Sequence, residues 1–151
     1  MQRHRVAIAS LGLFLACANC EAEPPSEQAA PFDRSLLGGV WAESVDTMPA
    51  CAMTNLHNTF ELSPDGRTLV FKLDRKSKIA SGNEVEQYSA TVLRSTSQSL
   101  FIRYNADIGT LPPGFPLDWE IVFVTPGVYR WHAEKWKEGE VNNVVGVKCF
   151  Q

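Results

Sequence analysis

Leu37-Gly38-Gly39-Val40-Trp41 decides how this chain is read. Two glycines precede a branched residue and a tryptophan, at the point where a polar, proline-containing stretch gives way to β-branched and aromatic runs. Glycine has no Cβ, so the backbone can turn tightly there and let another segment pass close by. Trp41, two residues on, can bury a large apolar area. Together they suit the first strand of a β-barrel turning in over a closed end, with Gly39 and Trp41 as the plug. The alternative is a Gly-Gly hinge followed by an ordinary core tryptophan.

Upstream, residues 1–22 carry the parts of an export signal: Arg3, His4 and Arg5, the apolar run Val6 to Ala16, then small residues. That run is too short to span a bilayer, and no other stretch approaches ~20 apolar residues, so no transmembrane segment is expected. Cleavage after Ala22 removes Cys17 and Cys20 together and leaves Cys51 and Cys149 as an even pair, whereas cleavage after Ala18 strands Cys20. Parity favours Ala22. A third reading is lipoprotein processing, because Phe14-Leu15-Ala16-Cys17 resembles a bacterial lipobox and would place a lipid tether on Cys17. Cys17-Ala18-Asn19-Cys20 also spells C-x-x-C, but inside the leader, with no strand before it and no helix after it. Residues 23–35, rich in Pro, Glu, Ala, Ser and Gln, read as a flexible linker, with a short helical turn around Phe32 to Leu37. Residues 36–151 then form one domain of about 115 residues, enough for one modest core. The expected location is periplasmic or secreted, soluble or lipid-anchored.

The formal charge of -3 carries no basic excess, and losing Arg3 and Arg5 with the leader makes the acidic balance larger. That works against nucleic-acid or anionic-membrane binding. Hydrophobic residues at 44% and charged residues at 21% fit a globular domain and neither disorder nor a membrane protein.

Downstream of Trp41, short β-branched and aromatic runs alternate with turn residues, the pattern of an all-β domain. Eight strands are expected: Gly39 to Ser44, Leu56 to Leu62, Thr68 to Leu73, Glu84 to Leu93, Leu100 to Tyr104, Asp118 to Val124, Val128 to Trp136 and Val141 to Phe150. Ser63-Pro64-Asp65-Gly66 joins the second to the third, with proline fixing one turn position and glycine supplying positive φ. Thr125-Pro126-Gly127 is expected to act in the same way, and Lys137-Glu138-Gly139-Glu140 to join the last pair. Consecutive hairpins make an antiparallel up-and-down meander, which removes its exposed edges by closing into a barrel. Such an interior is either filled by side chains or holds one small ligand. Alternation points Tyr129, Trp131 and Ala133 inward against Arg130, His132 and Glu134, and Phe60 and Leu62 inward against Glu61. The sixth strand is apolar on both faces, with Trp119, Ile121 and Phe123 against Val122 and Val124, so it is covered outside or offers a partner surface.

Gly39-Val40-Trp41 resembles the G-x-W that opens the first strand of lipocalins and related calycin barrels, and the meander agrees with it. Thr125-Pro126-Gly127-Val128-Tyr129 keeps the Thr and Tyr of the family's T-D-x-x-Y-like motif but not its Asp. The resemblance implies a lipocalin-like barrel, and a basic residue near the end of the last strand lying on the Trp, a place that Lys148 can fill.

Cys51 and Cys149 are expected to form a disulfide in an oxidising compartment, tying the last strand to the first connection. The two histidines beyond the leader, His57 and His132, fall on the outward face, a poor place for a general base. There is no G-x-S-x-G, H-E-x-x-H, P-loop or G-x-G-x-x-G motif, and no zinc-ligand spacing. No catalytic residue, metal or cofactor is therefore expected. Glu84 and Glu86 share a strand face and read as solvated charges, and Asp74-Arg75-Lys76-Ser77-Lys78 as a solvated loop. Asn105 to Leu117 is a long, proline-stiffened loop with Leu111 and Phe115 as apolar tips, of the length that more often carries function than connection.

Two functions are weighed. One is an exported, non-catalytic barrel that binds a small apolar or amphipathic ligand, with Trp119, Phe123, Tyr129 and Trp131 lining the interior. The other is a periplasmic protein-binding module, such as a hydrolase inhibitor, that meets an exported protein partner through Gly109 to Leu117.

Overall fold

The alternation resolves into β1 (Val40–Val45), β2 (His57–Leu62), β3 (Thr68–Lys78), β4 (Glu84–Ser95), β5 (Ser99–Tyr104), β6 (Asp118–Thr125), β7 (Val128–His132) and β8 (Val144–Cys149). The structure, a computed structural model, describes residues 31–45, 49–133, 136 and 142–149. Each strand pairs antiparallel with the next in sequence, and β1 pairs with β8, so the sheet is a closed up-and-down barrel of lipocalin-like architecture. Every strand thus has a hydrogen-bonded neighbour on both sides. The leader, the cleavage sites, Cys17 and the Lys137 to Glu140 turn lie outside the described residues. Among the described residues no helix is long and apolar enough to cross a membrane.

Most expected strand limits hold within a residue or two. β7 ends at His132, earlier than expected, and Trp136 stands beyond it outside any strand. The larger difference is β3. Asp74 to Lys78, expected as a solvated loop, continues the strand, with Ser77 opposite Val85 and Lys78 opposite Glu84 across an irregular register. Polar composition gave way to cross-strand pairing: Asp74 Oδ2 lies 3.0 Å from His57 Nδ1, and the Arg75 guanidinium donates to the carbonyls of Thr54 and Asn55.

The turn at Ser63 to Gly66 forms as expected, with Gly66 at φ 74° and its N–H donating to the Ser63 carbonyl at 2.8 Å. Gly127 is different. Its φ is not positive, and its N–H instead donates to Thr125 Oγ1 at 3.3 Å.

One end of the barrel is sealed by the segment before β1. A 3-10 helix, Arg34–Leu37, is capped by Asp33 and buries Leu36 and Leu37. Arg34 donates to the carbonyls of Leu62, Ser63 and Pro64 in the β2–β3 hairpin, while Phe32 packs on Phe123 at 5.8 Å. Gly39 then turns with φ 102°, and the Lys148 side chain lies so close that a Cβ there would meet it at 3.3 Å. Trp41 is fully buried beneath, its Nε1 donating to the Leu37 carbonyl at 3.1 Å. Lys148 Nζ sits 5.0 Å from the Trp41 ring centroid, the place that the resemblance assigned to it. Above this plug, Phe60, Leu69, Phe71, Leu100, Ile102, Ile121, Phe123 and Tyr129 form one contiguous core. Cys51 and Cys149 are disulfide-bonded, 98 residues apart, which ties the end of β8 to the β1–β2 connection.

Candidate functional site

The opposite end collects the start of β2, β4, β6 and β8 and the end of β1, β3, β5 and β7. Inward positions follow from register. Phe123 faces Tyr129, Tyr129 faces Gly146, and Gly146 faces Glu43, so all four belong to one inward row across β6, β7, β8 and β1. The side chains in that row are large, large, absent and charged. Because Gly146 has no side chain, the Tyr129 ring lies across β8, so close that a Cβ on Gly146 would sit 2.1 Å from it. The Tyr129 hydroxyl thereby reaches Glu43 and donates to Oε1 at 3.0 Å. Trp131, one inward position further along β7, donates its Nε1 to the same oxygen at 2.6 Å.

Glu43 is thus an inward carboxylate held by two aromatic donors, and its residue remains exposed. Among the described residues no cationic side chain pairs with it. Aromatic rings pack against one another at this level. Tyr88 stacks on Phe71 at 4.6 Å and meets Tyr104 edge-on at 5.9 Å, while Trp119 meets Trp131 at 5.9 Å and Trp136 at 5.7 Å. Burial raises the phenol pKa values of Tyr88, Tyr104 and Tyr129, and the Glu43 charge raises them further. For Tyr129 a hydrogen bond from Asn58 partly offsets the rise. All three therefore stay neutral at any ordinary pH. Asn58 Oδ1 is buried without a hydrogen-bond partner among the described residues.

The four residues expected to line a ligand site separate by height. Phe123 is 1% exposed, packed between Phe32 and Trp41 in the filled end, and Tyr129 is fully buried with only its hydroxyl directed to Glu43. Trp131 and Trp119 stand further toward the opposite end, Trp131 buried and Trp119 half-buried. The expectation did not include Glu43, Gly146, Tyr88 or Tyr104. Glu43 had a signal: it lies two residues beyond Trp41 and therefore on the same strand face.

The long loop after β5 begins with a 3-10 helix, Ala106–Ile108. Asn105 and Asp107 bond to Thr91 and Ser89, outward positions of β4, so this part straps the outside of the barrel. The remainder returns to the rim. Phe115 packs on Trp119 at 5.8 Å, the Trp119 indole donates to the Pro116 carbonyl, and a cleft of about 880 Å³ runs between Pro112 to Leu117, Trp119 and Trp136. Leu111 is half-buried, while Leu117 and Val124 are each 52% exposed. His57 and His132 lie on the outer face, each beside a carboxylate, Asp74 and Glu120. No protein-family model matches the chain, and no curated protein matches it.

Proposed function

We propose that the protein is an exported, non-catalytic barrel that takes a small amphipathic molecule into its open end. The reading rests on how the interior is divided. One end is packed around Trp41, while toward the other the core is edged by Trp131 and the partly buried Tyr88, Tyr104 and Trp119, next to the exposed Glu43. Aromatic walls with a few fixed polar groups are the usual make-up of a small-molecule site. The Cys51–Cys149 disulfide supports an oxidising compartment, in keeping with the leader read in residues 1–22.

Native mass spectrometry of the mature protein recovered from the exporting cell tests this. A reproducible non-covalent small molecule is the expected result, and a ligand-free protein counts against it.

The second reading, a module that grips an exported protein through Gly109 to Leu117, is favoured by the exposed Leu117 beside the rim cleft. Leu117→Asp separates the two. Ligand retention is unchanged if the open end is the site, and capture of a protein partner is lost if the loop is.

A further inference from the structure

We propose that the ligand is an organic cation, a protonated amine on an apolar or aromatic body, with its charge placed on Glu43. This rests on the open end being the ligand site, and it assigns the ligand's chemical class.

Three observations carry it. First, the donors fixed at Glu43, the Tyr129 hydroxyl and the Trp131 indole, both go to Oε1, which leaves Oε2 to accept from a ligand. Second, the described cationic groups near the interior are engaged elsewhere: Lys148 lies on Trp41 at the closed end, and Arg75 is bound to carbonyls of the β1–β2 connection. Third, Tyr88, Tyr104, Trp119 and Trp131 gather at this end, with Trp131 bonded to Glu43 itself, and tyrosine and tryptophan rings attract cations.

The decisive point is desolvation. A neutral apolar molecule seated among these rings strips water from the Glu43 carboxylate and offers nothing in return, which is costly. An anion adds like-charge repulsion. An ammonium replaces the lost water with a charge-assisted hydrogen bond and stacks its body on the rings.

The test is calorimetric titration of the mature, disulfide-intact protein with three probes of one shape: phenylbutylamine, phenylbutanol and phenylbutanoate. The amine is expected to bind about tenfold or more tighter than the alcohol, with the carboxylate weakest. Glu43→Gln is expected to erase the amine's advantage over the alcohol, and Glu43→Asp, which keeps the charge, to restore part of it. Equal binding of amine and alcohol by the unaltered protein overturns the cation assignment and leaves the ligand site standing. An amine preference that survives in folded Glu43→Gln overturns the role of Glu43. Absence of binding by all three probes overturns the ligand site itself, and the cation with it. The ranking in the unaltered protein decides the matter even if Glu43→Gln fails to fold.

Discussion

At the scale of single residues, the site depends on an absence. Gly146 has no side chain, so the Tyr129 ring crosses β8 and delivers its hydroxyl to Glu43. Gly146→Ala forces a Cβ into that ring, and overpacking of this kind costs about 1 to 3 kcal/mol. The expected outcome is a lower midpoint in urea unfolding with an unchanged slope, and a weakened Tyr129 bond to Glu43. An unchanged midpoint contradicts the packing described.

The tyrosines give a second prediction. Tyr88, Tyr104 and Tyr129 are all the tyrosines of the chain, and each has its pKa raised, chiefly by burial. In the unfolded chain they ionise near the ordinary value of about 10, so on raising the pH protons leave the unfolded state first. Their contribution to stability is complete below that pH and declines as pH rises toward the folded values. Ultraviolet absorbance should detect no phenolate at pH values where free tyrosine has ionised, and phenolate should appear only together with unfolding. Of these residues, Glu43 was within reach of the sequence, since alternation from Trp41 places it inward. Gly146 was not, because nothing in a linear pattern tells which ring on a neighbouring strand will cross it.

At the scale of elements, strands and hairpins were legible wherever a turn residue or a strict alternation fixed them. Gly66 turns as its sequence demanded, and β2 and β4 begin within a residue of expectation. β3 ran on past Leu73 because His57 and the β1–β2 connection supply partners for Asp74 and Arg75, and such partners exist only once the barrel has closed. The loop after β5 was readable as long and stiff. That its first part straps the outside of β4 depends on Ser89 and Thr91 pointing outward to meet it.

Two predictions belong to this scale. Replacing both Cys51 and Cys149 by Ala releases a bond spanning 98 residues, and the stability lost should approach but not exceed about 4 to 5 kcal/mol, read as a fall in the urea midpoint. No change in the midpoint contradicts the pairing. Arg34→Ala removes three hydrogen bonds from the closed end and should cost about 1 to 2 kcal/mol, with faster hydrogen exchange at the Trp41 indole.

At the scale of the whole molecule, the two ends of one barrel differ. The end near the 3-10 helix is filled and crossed by Trp41, which fixes the closure of β1 against β8. The end near Glu43 carries aromatic rings and an exposed carboxylate. Tryptophans stand at both levels: Trp41 in the plug, and Trp119, Trp131 and Trp136 toward the opposite end. Their four indole N–H resonances therefore act as four reporters at known heights. The most direct test is a heteronuclear NMR titration of the folded, disulfide-intact protein with phenylbutylamine, followed at those resonances. The account predicts that the Trp131 and Trp119 indole signals move with a shared saturation curve while Trp41 stays in place. A shift at Trp41 with Trp131 unmoved, or no shift at any indole, contradicts it.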